Sequence, residues 1–121
     1  MKKLKEHEEV SLDHLIQLKQ EIEKDGFLKN PIIVDKNTNI ILDGHHRFNS
    51  LKQLNCTKVL AYLVNYNSPE IKVRNWRRGE KVMKKDVIKA GLTGKKLPSK
   101  TSRHIIPNRP LNLNIPLKDL M

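Results

Sequence analysis

Pro31-Ile32-Ile33-Val34-Asp35-Lys36-Asn37-Thr38-Asn39-Ile40-Ile41-Leu42-Asp43-Gly44-His45-His46-Arg47-Phe48 is the stretch whose reading decides the fold. Proline opens a β-branched run at a place where a strand can begin, and Lys36 to Asn39 supplies turn residues. Ile40-Ile41-Leu42 reads as the returning strand of a hairpin. Asp43-Gly44 ends it abruptly. A helical pattern follows, with Phe48, Leu51 and Leu54 on one face and Asn55 as its stop.

Working outward, Ser11 can cap a helix in which Leu15, Leu18 and Ile22 follow at helical spacing, with Gly26 as a C′ stop. Lys58 to Tyr66 predicts a third strand and Ile71 to Val73 a fourth. Gly79 to Ala90 turns helical again through Val82, Met83, Val87 and Ile88, ending at Gly91. Leu97 to Pro116 holds four of the six prolines and no helical period. It is expected to be extended. The prediction is an α+β fold, a small mixed β-sheet flanked by helices, in one domain spanning residues 1–121 with 97–121 packed on it as an extended segment.

The chain has 121 residues and a formal net charge of +11. Residues 1–66 carry ten basic and nine acidic side chains, residues 67–121 fourteen and four. Such asymmetry raises the question of nucleic acid or a membrane surface. No stretch approaches the roughly 20 apolar residues of a membrane span. No apolar run follows the first lysines, so a secretory signal is not expected and the cytoplasm is the expected setting. Cys56 is the only cysteine, which excludes intrachain disulfides and multi-cysteine zinc sites. It reads as a small buried hydrophobe.

Asp43-Gly44-His45-His46-Arg47 sits where a buried strand gives way to a helix. Helix amino termini present unpaired N–H groups and a partial positive charge, and so bind anions. Glycine permits close approach, and His45, His46 and Arg47 add donors for phosphate oxygens. Asp43 could hold a metal ion or a substrate hydroxyl. Asp-Gly alone is a common turn and a lone histidine is more often structural; two histidines and an arginine in one turn are harder to dismiss. Adjacent histidines rarely converge on one ion, which argues against zinc.

At these residues the sequence resembles the ParB/sulfiredoxin-like superfamily, and within it the free L-serine kinase branch. The resemblance runs through His7-Glu8, Asp25-Gly26 to Val34, the DGHHR turn, Tyr66 to Trp76 and Pro98 to His104. It implies phosphorylation of free L-serine to O-phospho-L-serine with an adenine nucleotide, ATP or ADP, and Mg²⁺. It implies Glu8 as catalytic base and Asp43 as a second essential carboxylate. It assigns Gly44, His45, His46, Arg47 and Arg103 to nucleotide phosphate, and Trp76, Lys100, Thr101, Ser102 and His104 to the amino acid. Mg²⁺ would be held mainly by the nucleotide phosphates, with Asp43 a candidate ligand. The expected assembly is a monomer or homodimer.

Two departures stand out. Some relatives carry a long insertion where only 23 residues separate Trp76 from Lys100, which leaves a near-minimal core. The segment Lys-Thr-Ser-Arg-His has serine where some relatives have a second threonine, which keeps the hydroxyl. Sulfiredoxins place a catalytic cysteine in the corresponding turn, and its absence excludes that chemistry.

From the residues alone, Glu8 and Glu9 are not distinguished, since an acidic group before a helix complements its dipole. Trp76 fits either the core or a pocket rim among Arg74, Asn75, Arg77 and Arg78. A ParB-type nucleotide-dependent DNA-binding protein is the alternative. Its phosphate turn is rich in Glu-Arg-Arg, unlike this one, and no helix-turn-helix pattern follows. Nucleic acid is therefore not the expected partner. A nuclease would need clustered acids, and the back half has only Glu70, Glu80, Asp86 and Asp119.

Overall fold

Four consecutive buried residues, Ile32, Ile33, Val34 and Asp35, form the centre of the molecule. The computed structural model describes residues 3–75 and 82–121. Its elements are α1 (Leu12–Asp25), β1 (Phe27–Leu28), β2 (Ile32–Asp35), β3 (Ile41–Asp43), α2 (His45–Gln53) and β4 (Ala61–Val64). They continue with β5 (Lys72–Asn75), α3 (Lys84–Thr93), β6 (Ser102–Ile105), β7 (Ile115–Pro116) and a closing 3₁₀ turn at Leu117–Asp119. Among the described residues no helix is long and apolar enough to cross a membrane.

β2 lies between β3, antiparallel to it, and β4, parallel to it. A strand covered on both faces needs a continuous apolar run, which Ile32-Ile33-Val34 supplies. Successive side chains face opposite ways. Ile33 therefore joins Ile40, Leu42, Tyr66, Ile71, Val87 and Ile106 on one side. Ile32 and Val34 meet Ile41 and Phe48 on the other. A further cluster of Ile22, Leu28, Leu51, Cys56 and Leu120 brings together α1, α2 and the carboxyl end. Asp35 is buried with its carboxylate satisfied: it accepts from the Thr38 hydroxyl at 2.7 Å and the Tyr66 N–H at 3.1 Å. That pins the hairpin turn.

The hairpin and the first two helices follow the sequence expectation closely; the third expected strand, Lys58 to Tyr66, is shorter, at Ala61–Val64. Ser11 occupies the N-cap position of α1, but its hydroxyl makes no cap bond. Its N–H donates instead to His46 Nε2 at 2.9 Å. Gly26 closes α1 in the left-handed region, at φ 75°.

Two regions differ. The third helix starts at Lys84, runs through Gly91 and ends at Gly94, at φ 76°. Gly91 is no stop; a Cβ there would fall 2.7 Å from Ile40 Cδ1 and Cγ1. Packing demands that glycine, and Gly94 ends the helix. The expected start, Gly79 to Lys81, lies outside the described residues. The proline-rich tail is extended as expected, but part of it pairs. β6 is antiparallel to β5, with Val73 opposite His104, and β7 is antiparallel to β1. Thr57 and Lys58 N–H groups both donate to Leu120 O at 2.9 Å.

Gly91→Ala separates two effects of opposite sign. Helix propensity favours alanine by about 1 kcal/mol, whereas overpacking typically costs about 1–3 kcal/mol. With backbone-anchored Ile40 in the way, we expect net destabilisation, read as a lower urea midpoint at unchanged m-value. An unchanged or raised midpoint would show that Ile40 can move aside.

Candidate functional site

The strand β3 delivers Asp43 to the edge of a cavity, and Gly44 turns the chain directly into α2. Gly44 has φ 102°, and a Cβ on it would lie 2.7 Å from Ile32 Cγ2 and 3.0 Å from Arg47 Nη2. Only glycine meets both constraints. The first-turn amides of α2 have no intrahelical acceptors, so they and the helix dipole give the cavity an anion-attracting wall. The cavity measures about 590 Å³. Glu8 enters it from the amino-terminal segment, the Asp43–Arg47 turn forms one wall, and Lys100, Ser102–Ile106 and Arg109 come from the carboxyl-terminal stretch.

Two carboxylates in this cavity are pushed in opposite directions. Burial raises the Glu8 carboxyl above its ordinary range. Hydrogen bonds from the Ser102 and Thr101 N–H groups oppose that rise, and the negative charge of Asp43 adds to it. The Thr101 and Ser102 N–H groups donate to Glu8 Oε1 at 2.6 and 3.0 Å. Burial also acts to raise Asp43, but there it is outweighed by the hydrogen bond from Arg109 and the charges of Arg47 and Arg109. Asp43 therefore ends below its ordinary range. Arg109 Nη2 donates to Asp43 Oδ2, and Arg47 Nη2 stands 3.9 Å from the same oxygen while donating to Pro31 O at 3.1 Å.

Behind the carboxylates lies a layer of neutral imidazoles. Burial lowers His7 to about 4 and His104 to about 3, and it also holds His45 well below its ordinary value. His7 Nδ1 sits 2.7 Å from Ile41 O. A carbonyl only accepts, so Nδ1 carries the proton and Nε2 is an acceptor. The Ser102 hydroxyl, 2.9 Å from His7 Nε2, can donate to that nitrogen, and its hydrogen bond to Glu8 acts to lower that carboxyl. His45 Nε2 accepts the His7 N–H at 3.2 Å. Tyr66 Oη lies 2.8 Å from His104 Nε2.

The structure gathers most of the residues singled out from sequence. Glu8, Asp43, Gly44, His45, His46, Arg47, Lys100, Ser102, Arg103 and His104 all border the one cavity. Glu9 is exposed, its N–H donating to Leu97 O at 2.8 Å. Thr101 is not part of the lining; it acts through its N–H on Glu8, and its hydroxyl donates to Pro98 O at 2.5 Å. Each of the adjacent histidines has Nε2 engaged in accepting a backbone N–H, which leaves Nδ1 of the neutral ring as its donor. Trp76 lies outside the described residues, as do Arg77 and Arg78. Sequence reasoning missed Arg109, the His7 and Tyr66 partners of the site, and His14. The His14 ring packs against His46 with centroids 4.2 Å apart. For Arg109 the only signal was an arginine held between prolines in Pro107-Asn108-Arg109-Pro110.

No protein-family model matches the chain. It is 42% identical over 77 residues to a ParB-like protein of Sulfolobus acidocaldarius, covering 64% of this chain and 38% of that one. It is 35% identical over 78 residues to an ATP-dependent L-serine kinase of Staphylothermus marinus, covering 61% and 31%. The chain thus spans about a third of the length of the curated relatives it matches. Among solved structures, a free serine kinase in complex with AMP superposes with a TM-score of 0.89 at 16% identity, over 99% of this chain and 91% of that one. A carboxyl-terminally truncated SbnI from Staphylococcus aureus gives 0.80 at 18% identity, over 98% and 86%. The chain has homologues named ATP-dependent L-serine kinase and ParB-like protein, and its α+β fold is that of the free serine kinase structures.

Proposed function

We propose that residues 1–121 form one kinase domain that phosphorylates free L-serine to O-phospho-L-serine, using ATP or ADP with Mg²⁺. One observation carries the reading: a raised carboxyl, Glu8, and a depressed one, Asp43, share a basic cavity at a helix amino terminus. Carboxylates whose environments push them apart divide the roles of acid–base group and electrostatic anchor. The names of the relatives, and the nucleotide in the free serine kinase structures, support the choice of donor and acceptor.

The lining holds four cationic side chains, Arg47, Lys100, Arg103 and Arg109, against the two carboxylates. That surplus suits a polyphosphate rather than a neutral ligand. Phosphate oxygens take the α2 amides, with Arg47 beside them. Glu8 accepts the proton of the substrate hydroxyl as the new O–P bond forms and the bond to the nucleotide's bridging oxygen breaks. Such a base typically contributes roughly 10²–10⁴-fold. The Ser102 hydroxyl oxygen, held between His7 and Glu8, accepts from the α-ammonium of the amino acid. Among the described residues no group of three or more His, Cys, Asp or Glu could hold a metal. The residues fit an ion bound through phosphates and one carboxylate, Asp43. Mg²⁺ so held would neutralise charge on the transferring phosphoryl group.

The 42% identity to a ParB-like protein favours a second reading, nucleotide-dependent DNA binding. It requires sequence-specific duplex binding with steep salt dependence. Weak, sequence-independent binding by a +11 chain does not support it.

The direct test incubates the protein with Mg²⁺, L-serine and either ATP or ADP. We expect phosphoserine by mass spectrometry; its absence with both donors sinks the kinase reading. Glu8→Gln should lower kcat by about 10²–10⁴-fold with nucleotide affinity nearly intact, while Glu9→Gln stays close to wild type. Because the base works deprotonated and burial raises its carboxyl, kcat should rise with pH along a limb above the ordinary glutamate value near 4.5. A limb at or below that value argues against Glu8. Ser102→Ala should raise the KM for serine by about tenfold, the worth of a hydrogen bond to a charged group, and leave nucleotide affinity unchanged. A matching loss of nucleotide affinity would assign Ser102 to the phosphates.

A further inference from the structure

Asp43 is contested by two guanidinium groups, and neither is fully satisfied. Arg109 Nη2 donates to Asp43 Oδ2, with Arg47 Nη2 at 3.9 Å. Arg47 Nε and Arg109 Nε are both buried without an acceptor among the described residues. Buried donors without partners call for an explanation, and an absent anionic ligand is one. Two cations around one carboxylate leave a positive surplus at the edge of the cavity. Arg109 is held there by a tight turn in which Asn108 adopts φ 57° and Pro110 follows.

We propose that Arg109 is a phosphate-binding residue that exchanges partners: it clamps Asp43 in the nucleotide-free protein and moves to the transferable phosphate when nucleotide enters. The inference rests on the kinase reading above. Glu8 and Asp43 line the same cavity and Arg109 touches Asp43, so Arg109 stands on the side of the cavity that holds the carboxylates. A planar guanidinium can form the same two-pronged bond with phosphate that it forms with carboxylate. Its departure frees Asp43 Oδ2 at the moment a cation-bearing nucleotide arrives. Asp43 has 39% of its side chain exposed and Arg109 28%, so the exchange needs no opening of the core.

Calorimetric titration with AMP, ADP and ATP in EDTA-containing buffer tests this without relying on turnover. Arg109→Gln should weaken the donor nucleotide, whichever of ADP and ATP yields phosphoserine, by about tenfold or more, the worth of a charge-assisted hydrogen bond. AMP, which lacks the transferable group for either donor, should change by less than about threefold. Arg109→Lys, which keeps the charge but not the fork, should fall between, and it carries the test if Arg109→Gln does not fold. Asp43→Asn should tighten metal-free binding of that donor, and that gain should vanish in Asp43→Asn/Arg109→Gln, giving a non-zero coupling. Equal losses for AMP and the donor, no loss in Arg109→Gln, or an Asp43→Asn gain that survives without Arg109 would each overturn the proposal. Wild-type protein that binds none of the three nucleotides in EDTA overturns the proposal, and none when Mg²⁺ is restored overturns the kinase reading along with it.

Discussion

No side chain fits at residue 44, and the site depends on that. Gly44 presses against Ile32 of the central strand and against Arg47 one turn into α2. The contact locks three things to one point of the core: the carboxyl end of β3 with Asp43, the free amides of α2, and the guanidinium of Arg47. Because β2 is buried on both faces, Ile32 has nowhere to retreat.

Around that turn the molecule keeps its charges at the cavity and its imidazoles neutral behind it. Fully buried His7 anchors the Ser102 hydroxyl through one nitrogen and the Ile41 carbonyl through the other. A charged imidazole there would turn the Ser102 hydroxyl from donor to acceptor and would leave a buried charge without water. Desolvation removes that possibility near neutral pH.

The hairpin and the DGHHR turn were legible because they rest on local rules: β-branched runs, turn residues, an abrupt Asp-Gly end. Glu8 against Glu9 was not. Both lie in an extended segment where alternate side chains face opposite ways, and the choice is set by the bridges of Lys5 with Ile40 and Glu8 with Leu97. Those partners are remote in sequence. The tail carried the same difficulty, since proline and a lack of helical period announce extension but not pairing. β6 needed β5 to become a strand, and its alternation places Ser102 and His104 inward with Arg103 and Ile105 outward. Gly91 was misread because a helical glycine excluded by Ile40 looks, in sequence, like a stop. The basic back half raised the question of an anionic partner without showing which of its cations meet at the cavity. Arg109, which touches Asp43, stayed hidden in a proline-flanked turn.

The segment that brings Glu8 into place is held by the far end of the chain. The Leu97 N–H donates to His7 O, the Glu9 N–H to Leu97 O, and Glu8 receives its amides from residues more than ninety positions away. Contacts of such long sequence separation form late, after loop-closure entropy has been overcome. The hairpin and α2, and so the anion-attracting turn, come from one continuous stretch, Ile32–Gln53. The amides that hold Glu8 come from the other end of the chain. In the proposed kinase the anion site is thus local in sequence, whereas the base is set only where the two ends of the polypeptide meet.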